Sequence, residues 1–202
     1  MIRETVVTTV SAAGKVHVAP FGLIEEAGGW VIAPFRPSVT LDNLLAVPFL
    51  VANYVADVRV IAGCLTGRRD WPCLASCVVP PPRLAAALAH AELEVASIED
   101  DATRPRFHCR VVDLHTHAPF RGFNRAQGAV LEAAILVSRL GMLPREKVER
   151  EIAYLQIAVD KTAGPQELEA WQWLMEAVTA FHGRDPAANP LPQGEGVDSE
   201  VR

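Results

Sequence analysis

The segment APFRPSVTLDNLL, Ala33–Leu45, changes its periodicity in the middle, and that change decides the fold. Up to Phe35 it continues the β-branched and aromatic run WVIAPF, which has the composition of a strand. Beyond Pro37, Leu41, Leu44 and Leu45 share one helical face, and Pro48 stops the helix after barely two turns. A strand-to-helix corner is therefore expected here. One hydroxyl is enough to cap such a helix, yet Arg36, Ser38, Thr40 and Asn43 all stand at this corner. A helix start presents unpaired N–H groups and a partial positive charge, so surplus donors beside it suit an anion. Thr40, with Asn43 three residues on, is expected to cap, leaving Ser38 and Arg36 pointing outward. Local spacing leaves open a plainer alternative, in which Thr40 caps and Arg36 is merely solvated.

Working outward, the residues before the corner read as a meander. ETVVTTV, VHVAPFGLIEE and WVIAPF are strands separated by the turns SAAGK and AGG, and links this short imply antiparallel pairing. HVAPFGL places Pro20 and Gly22 inside the second strand, where both weaken a ladder; close approach of a flat ligand or a β-bulge would each account for them. After the corner, FLVANYVADV is apolar on both faces, as in the wall of a barrel, and buries the amide of Asn53. Val58–Leu88 is open between helix and strand. HAELEVASIE and PRFHCRVVDLHTHA form a hairpin that closes the β portion near Ala118.

From Phe123 the period becomes helical. Three successive amphipathic segments carry Val130, Leu131, Ala134, Ile135 and Val137, then Val148, Ile152, Leu155 and Val159, then Leu168, Trp171, Leu174, Met175 and Val178. The expected class is α+β, with a β-barrel domain over residues 1–120 and a helical bundle over 121–183. Residues 184–202, rich in Pro and Gly, are expected to be a disordered tail.

Composition narrows the function. Half of the 202 residues are hydrophobic and 21% are charged, with a net charge of -5 and a pI of 5.7. No basic run exists to neutralise a phosphate backbone, so nucleic acid is not an expected partner. Charged and polar breaks interrupt each long apolar stretch, so no membrane span is expected. The start, MIRETVVTTV, lacks a secretory pattern, so the expected location is cytoplasmic and Cys64, Cys73, Cys77 and Cys109 are expected to be free thiols. Cys73, Cys77, Cys109 and His108 lack the spacing of a zinc motif, and His115 and His117 read as a strand at a barrel mouth; no metal centre is expected. Glu132 is expected to pair with Arg125 or Arg139.

The order HVAPFG, FRPSVTLDNL, FNRAQGAVLEAAILVSRL, DKTAGPQELEA resembles an uncharacterised family known only as a domain of unknown function. In that family an FMN-binding split barrel of the flavin-reductase-like superfamily precedes a helical segment. The resemblance implies FMN as cofactor, with phosphate contacts from Arg36, Ser38 and Thr40 and support from Asn43. It implies ring contacts near Ala19, Pro20, Phe21 and Gly22, and places Asn53 either at the ring edge or in a barrel brace. Asn124 and Arg125, at a second anion-receptive helix start, are implied to reach the cofactor or a substrate. Related barrels often carry Asn where this chain has His17. A homodimer is implied too.

A flavin brings its own redox chemistry, so no catalytic acid or base is required. The expected function is that of an FMN-dependent oxidoreductase acting on a small organic substrate. Two alternatives stay open: a non-catalytic flavin-binding or assembly protein linked to pterin and one-carbon metabolism, and a barrel that takes a deazaflavin or haem instead.

Overall fold

The computed structural model describes residues 1–26 and 28–183; the tail expected over 184–202 lies outside them. The chain begins with β1 (Ile2–Val10), β2 (Val16–Glu26) and β3 (Gly29–Ile32), followed by α1 (Val39–Ala46), β4 (Phe49–Tyr54) and α2 (Arg59–Leu65). A two-residue pair, β5 (Cys73–Leu74) and β6 (Arg83–Leu84), precedes β7 (Ala89–Glu99) and β8 (Arg106–Thr116). Three helices end the described chain: α3 (Arg125–Ser138), α4 (Arg145–Thr162) and α5 (Pro165–His182).

Six strands close an antiparallel barrel in the order β1-β2-β3-β8-β7-β4. Side chains alternate across each strand, so Val7, Leu50, Ala52, Ala91, Leu93, Phe107 and Cys109 meet inside, joined by Leu41 and Leu44 from α1. The outward set, Val6 and Val18, packs under α2 and against Ala129, Val130, Ala133, Trp171 and Leu174 of the helices. Strands covered on both sides explain the unbroken burial of Thr5–Val10 and Leu50–Asn53. The ambiguous middle divides into α2, the short β5–β6 pair and connecting loops.

Three local expectations need correction. Ser38 caps α1, its hydroxyl accepting from the Leu41 N–H at 3.2 Å; Thr40 is instead buried one position inside the helix. Leu45 is 56% exposed, because α1 packs on the barrel end with Leu41 and Leu44 filling that face. Glu132 lies on the exposed side of α3, and among the described residues no ion pair joins it to Arg125 or Arg139.

Asn53 braces the barrel. It is fully buried; its amide donates to the carbonyls of Val6 (3.0 Å) and Val51 (3.2 Å) and to Thr8 Oγ1 (3.3 Å), while its Oδ1 accepts from Leu84 N–H at 2.7 Å. Every polar atom of the side chain has a partner inside the fold, so the bracing alternative holds and no donor is left over for a ligand.

Candidate functional site

β3 pairs with β2 only at Ile24–Glu26, so among the described residues Val16–Leu23 has β1 on one side and no strand on the other. Phe21 O faces β1, where it accepts from Thr5 Oγ1 at 2.9 Å, and Val18 O faces away from it, toward the Cys64 thiol at 3.7 Å. Pro20 shares the parity of Val18, so its missing N–H falls on the open edge. This is where a strand tolerates proline, and no bulge is needed.

Above this edge, a groove of about 450 Å³ is bounded by His17, Ala19, Pro20 and Phe21 of β2, by Ser38 and Thr40 at the start of α1, and by Cys64 and Arg69 after them. An adjoining groove of about 560 Å³ shares His17, Val18, Val39 and Arg69 with it and adds Lys15, Asn43 and Asp70. The two adjoin along these shared residues, and Arg69 and Lys15 line them together with the carboxylate of Asp70. Burial lowers the His17 pKa, and the positive charges of Arg69 and Lys15 push it further down. Burial also pushes the Cys64 thiol up to about 11, so it lines the groove as a neutral group.

The structure lines the first groove with Ala19, Pro20, Phe21, Ser38 and Thr40 and the adjoining one with Asn43, and places the other candidates elsewhere. Arg36 turns to the β7–β8 turn, where its guanidinium meets Asp100 Oδ1 at 2.7 Å and the Asp101 carbonyl at 3.1 Å. Asn43 points inward and donates to Thr9 Oγ1 at 2.9 Å, tying α1 to β1. Gly22 faces Ile2, whose exposed side chain would have to shift for a Cβ there, 2.9 Å from Ile2 Cγ2. Asn124 caps α3 by accepting from Ala126 N–H at 2.7 Å and donates to the Thr162 carbonyl at 2.9 Å, while Arg125 is exposed. Asn124 also lines a separate cavity between the barrel and α3.

Arg69 is the residue that sequence spacing missed. It follows the turn at Gly67 (φ +91°), after which Arg68 stacks over Trp173 at 4.5 Å and leaves Arg69 to the groove. The Arg68-Arg69 pair was visible, but nothing local tells which of two adjacent arginines a turn aims back at a strand edge.

A second cavity, of about 730 Å³, opens at the other end of β1 and β2 between the barrel and α3, walled by Trp30, Tyr54, Ile61, Phe120, Phe123 and Leu131. Phe123 is 98% exposed and stacks edge-on with Phe120, centroids 5.1 Å apart.

The lowered His17 pKa makes a testable demand. The unfolded chain takes up a proton near the ordinary value of 6.5 while the folded chain resists it, so stability should fall as pH drops through that value. Denaturant midpoints of the wild type and His17→Asn at about pH 7.5 and about pH 5.5 check this. The wild type should lose more stability than the variant, and equal losses would contradict the shift.

Residues 3–118 match the family model described as Protein of unknown function (DUF447) N-terminal domain, and residues 124–176 that described as Protein of unknown function (DUF447). Among solved structures, the FMN-bound protein MM1853 from Methanosarcina mazei is similar over 87% of this chain and 94% of its own, with a TM-score of 0.74 and 20% identity. Flavoredoxin from Methanosarcina acetivorans is similar over 57% of this chain and 69% of its own (TM-score 0.49, 12% identity). An FMN-binding protein from Thermus thermophilus is similar over 56% and 69% (TM-score 0.47, 18% identity). No curated protein matches the sequence significantly. The fold, a closed six-stranded antiparallel barrel followed by a helical C-terminal segment, is shared with MM1853 and has the barrel-then-helices architecture that the resemblance implied. Since the two models together span most of both the barrel and the helices, the chain belongs to the DUF447 family.

Proposed function

We propose that this protein binds FMN in the groove along the open edge of β2 and uses it as an oxidoreductase on a small organic substrate. One observation carries the reading: an apolar strand edge, a hydroxyl-rich helix start and the Arg69–Lys15 cations meet in two adjoining grooves. The chemistry of that set fits the group, because FMN joins a flat apolar ring to a phosphate. Ala19, Pro20 and Phe21 offer the ring an apolar wall, and the free β2 edge offers it backbone polar groups. Ser38, Thr40 and Arg69 offer the phosphate donors at a helix start, where the backbone dipole adds to the attraction. FMN supplies hydride and electron chemistry when bound; these residues bind it, orient it and exclude water. That MM1853, with the same fold, is FMN-bound agrees with this reading.

Purified protein should carry flavin absorbance or take up added FMN, and anaerobic mixing with NADH or NADPH should bleach it. Bound FMN that neither nicotinamide reduces would favour the non-catalytic reading; a colourless protein that takes up no FMN would end the proposal.

The proposal includes a homodimer. Phe120 and Phe123 stand exposed at the mouth of the 730 Å³ apolar cavity, and a second copy of the chain covers them. Light scattering should show a dimer for the wild type and a monomer for Phe123→Asp. A monomeric wild type would remove this part.

A further inference from the structure

The barrel surface beside β5 and β6 carries a second polar cluster that the flavin reading does not use. Register sets His90 of β7 opposite His115 of β8, and Glu92 opposite Asp113. The two-residue period then puts all four side chains on one face. The loop between β5 and β6 crosses that face and brings Cys77 to it.

Behind the cluster lies a buried chain of hydrogen bonds. Glu92, fully buried, accepts from the backbone N–H groups of Cys77 (2.6 Å), Val78 (2.7 Å) and Val79 (2.9 Å), and from His90 Nε2 at 3.2 Å. Burial opposes its charge, but these donors outweigh it and lower its pKa. His90, also buried, reaches His117 Nε2 through Nδ1 at 2.8 Å. Glu92 thus clamps the Cys77 loop to the barrel. A clamp alone needs only an acceptor; it does not account for the thiol, carboxylate and imidazole gathered in front of it.

The Cys77 sulfur, an Asp113 oxygen and a His115 ring nitrogen lie within 4.8 Å of one another. Around tetrahedral zinc, with bonds of about 2.0 to 2.3 Å, neighbouring ligand atoms lie about 3.3 to 3.7 Å apart. Reaching that spacing asks for rotation of side chains that are exposed or half-buried. His115 Nε2 sits 2.8 Å from Asp113 Oδ2, so a cation would take the place of the proton they share.

We propose that Cys77, Asp113 and His115 bind a zinc-class divalent cation, leaving a fourth tetrahedral position to water. One sulfur, one nitrogen and one oxygen favour zinc or cobalt over magnesium and calcium, which prefer oxygen alone. Partial desolvation, then the carboxylates of Glu92 and Asp113, raise the Cys77 thiol, with Arg83 opposing them; a bound dication would displace the thiol proton. Glu92 and His90 act as positioning residues, fixing the loop and ring behind the ligands.

The test uses the full chain, stripped with chelator and titrated with Co²⁺. A thiolate-to-cobalt charge-transfer band saturating at one equivalent is expected; it should vanish in Cys77→Ser and persist in Cys73→Ser. Zn²⁺ should displace the cobalt, and His115→Asn should weaken zinc at least tenfold. Circular dichroism checks that each variant is folded. No thiolate band in the wild type, or zinc affinity unchanged in both Cys77→Ser and His115→Asn, overturns the site. FMN content should be the same in all variants, so the outcome is independent of the flavin reading.

Discussion

Arg69→Ala should weaken FMN binding by about 10- to 100-fold, whereas Arg36→Ala should leave it within about threefold, as read by fluorescence quenching of FMN titrated into the apoprotein. A charge-assisted hydrogen bond to a phosphate is worth about 1.5 to 3 kcal/mol, and each 1.4 kcal/mol is about tenfold in affinity. Arg69 is exposed, so solvent screening favours the lower half of that span. Arg36 lies nearer the helix start in sequence, but its guanidinium is held by Asp100 and the Asp101 carbonyl and does not line the groove. The two variants separate the structural account from the local reading of the corner. Equal losses would show that the exposed Arg36–Asp100 pair, worth about 0 to 1 kcal/mol, opens to reach the ligand.

The second large effect concerns the barrel. Asn53→Ala should lower unfolding stability by about 2 to 4 kcal/mol, measured as a shift of the denaturant midpoint at constant slope. Alanine leaves the Leu84 N–H unpaired next to β4 and strips a donor from the Val6 carbonyl; each buried orphan costs about 1 to 3 kcal/mol. Asn53→Asp should be at least as costly, because it replaces the donor by a buried charge facing two carbonyls. A change below about 1 kcal/mol for Asn53→Ala would mean that water enters and takes over these bonds.

The architecture was legible because its signals are local and repeated. The strand pattern of ETVVTTV, the doubly buried FLVANY and the three amphipathic helices each announce an element without knowledge of its partner. The α1 cap was misplaced by two residues because Ser38 and Thr40 are both good caps, and only the extended backbone of Ser38 distinguishes them. The lining of the proposed groove was half legible. Ala19, Pro20 and Phe21 were implied by the resemblance, and the structure puts all three along the groove; the open edge that accommodates Pro20 was not read from the sequence, which offered a flat ligand or a bulge. Arg69 could not be read either, since its place depends on how α2 lies across β2. Arg36, implied as a phosphate contact, meets Asp100 in the structure, 64 residues away, a partner that nothing at the corner reveals. The Cys77 cluster depends on register between β7 and β8 and on a loop crossing, neither of which spacing discloses.

The most direct test of the central claim is a crystal structure of the protein grown with FMN. The account predicts the ring along the open edge of β2 at Ala19–Phe21 and the phosphate within hydrogen-bonding distance of Arg69 and the Ser38–Thr40 helix start. FMN seated elsewhere, with Arg69 facing solvent and the β2 edge uncovered, would contradict it.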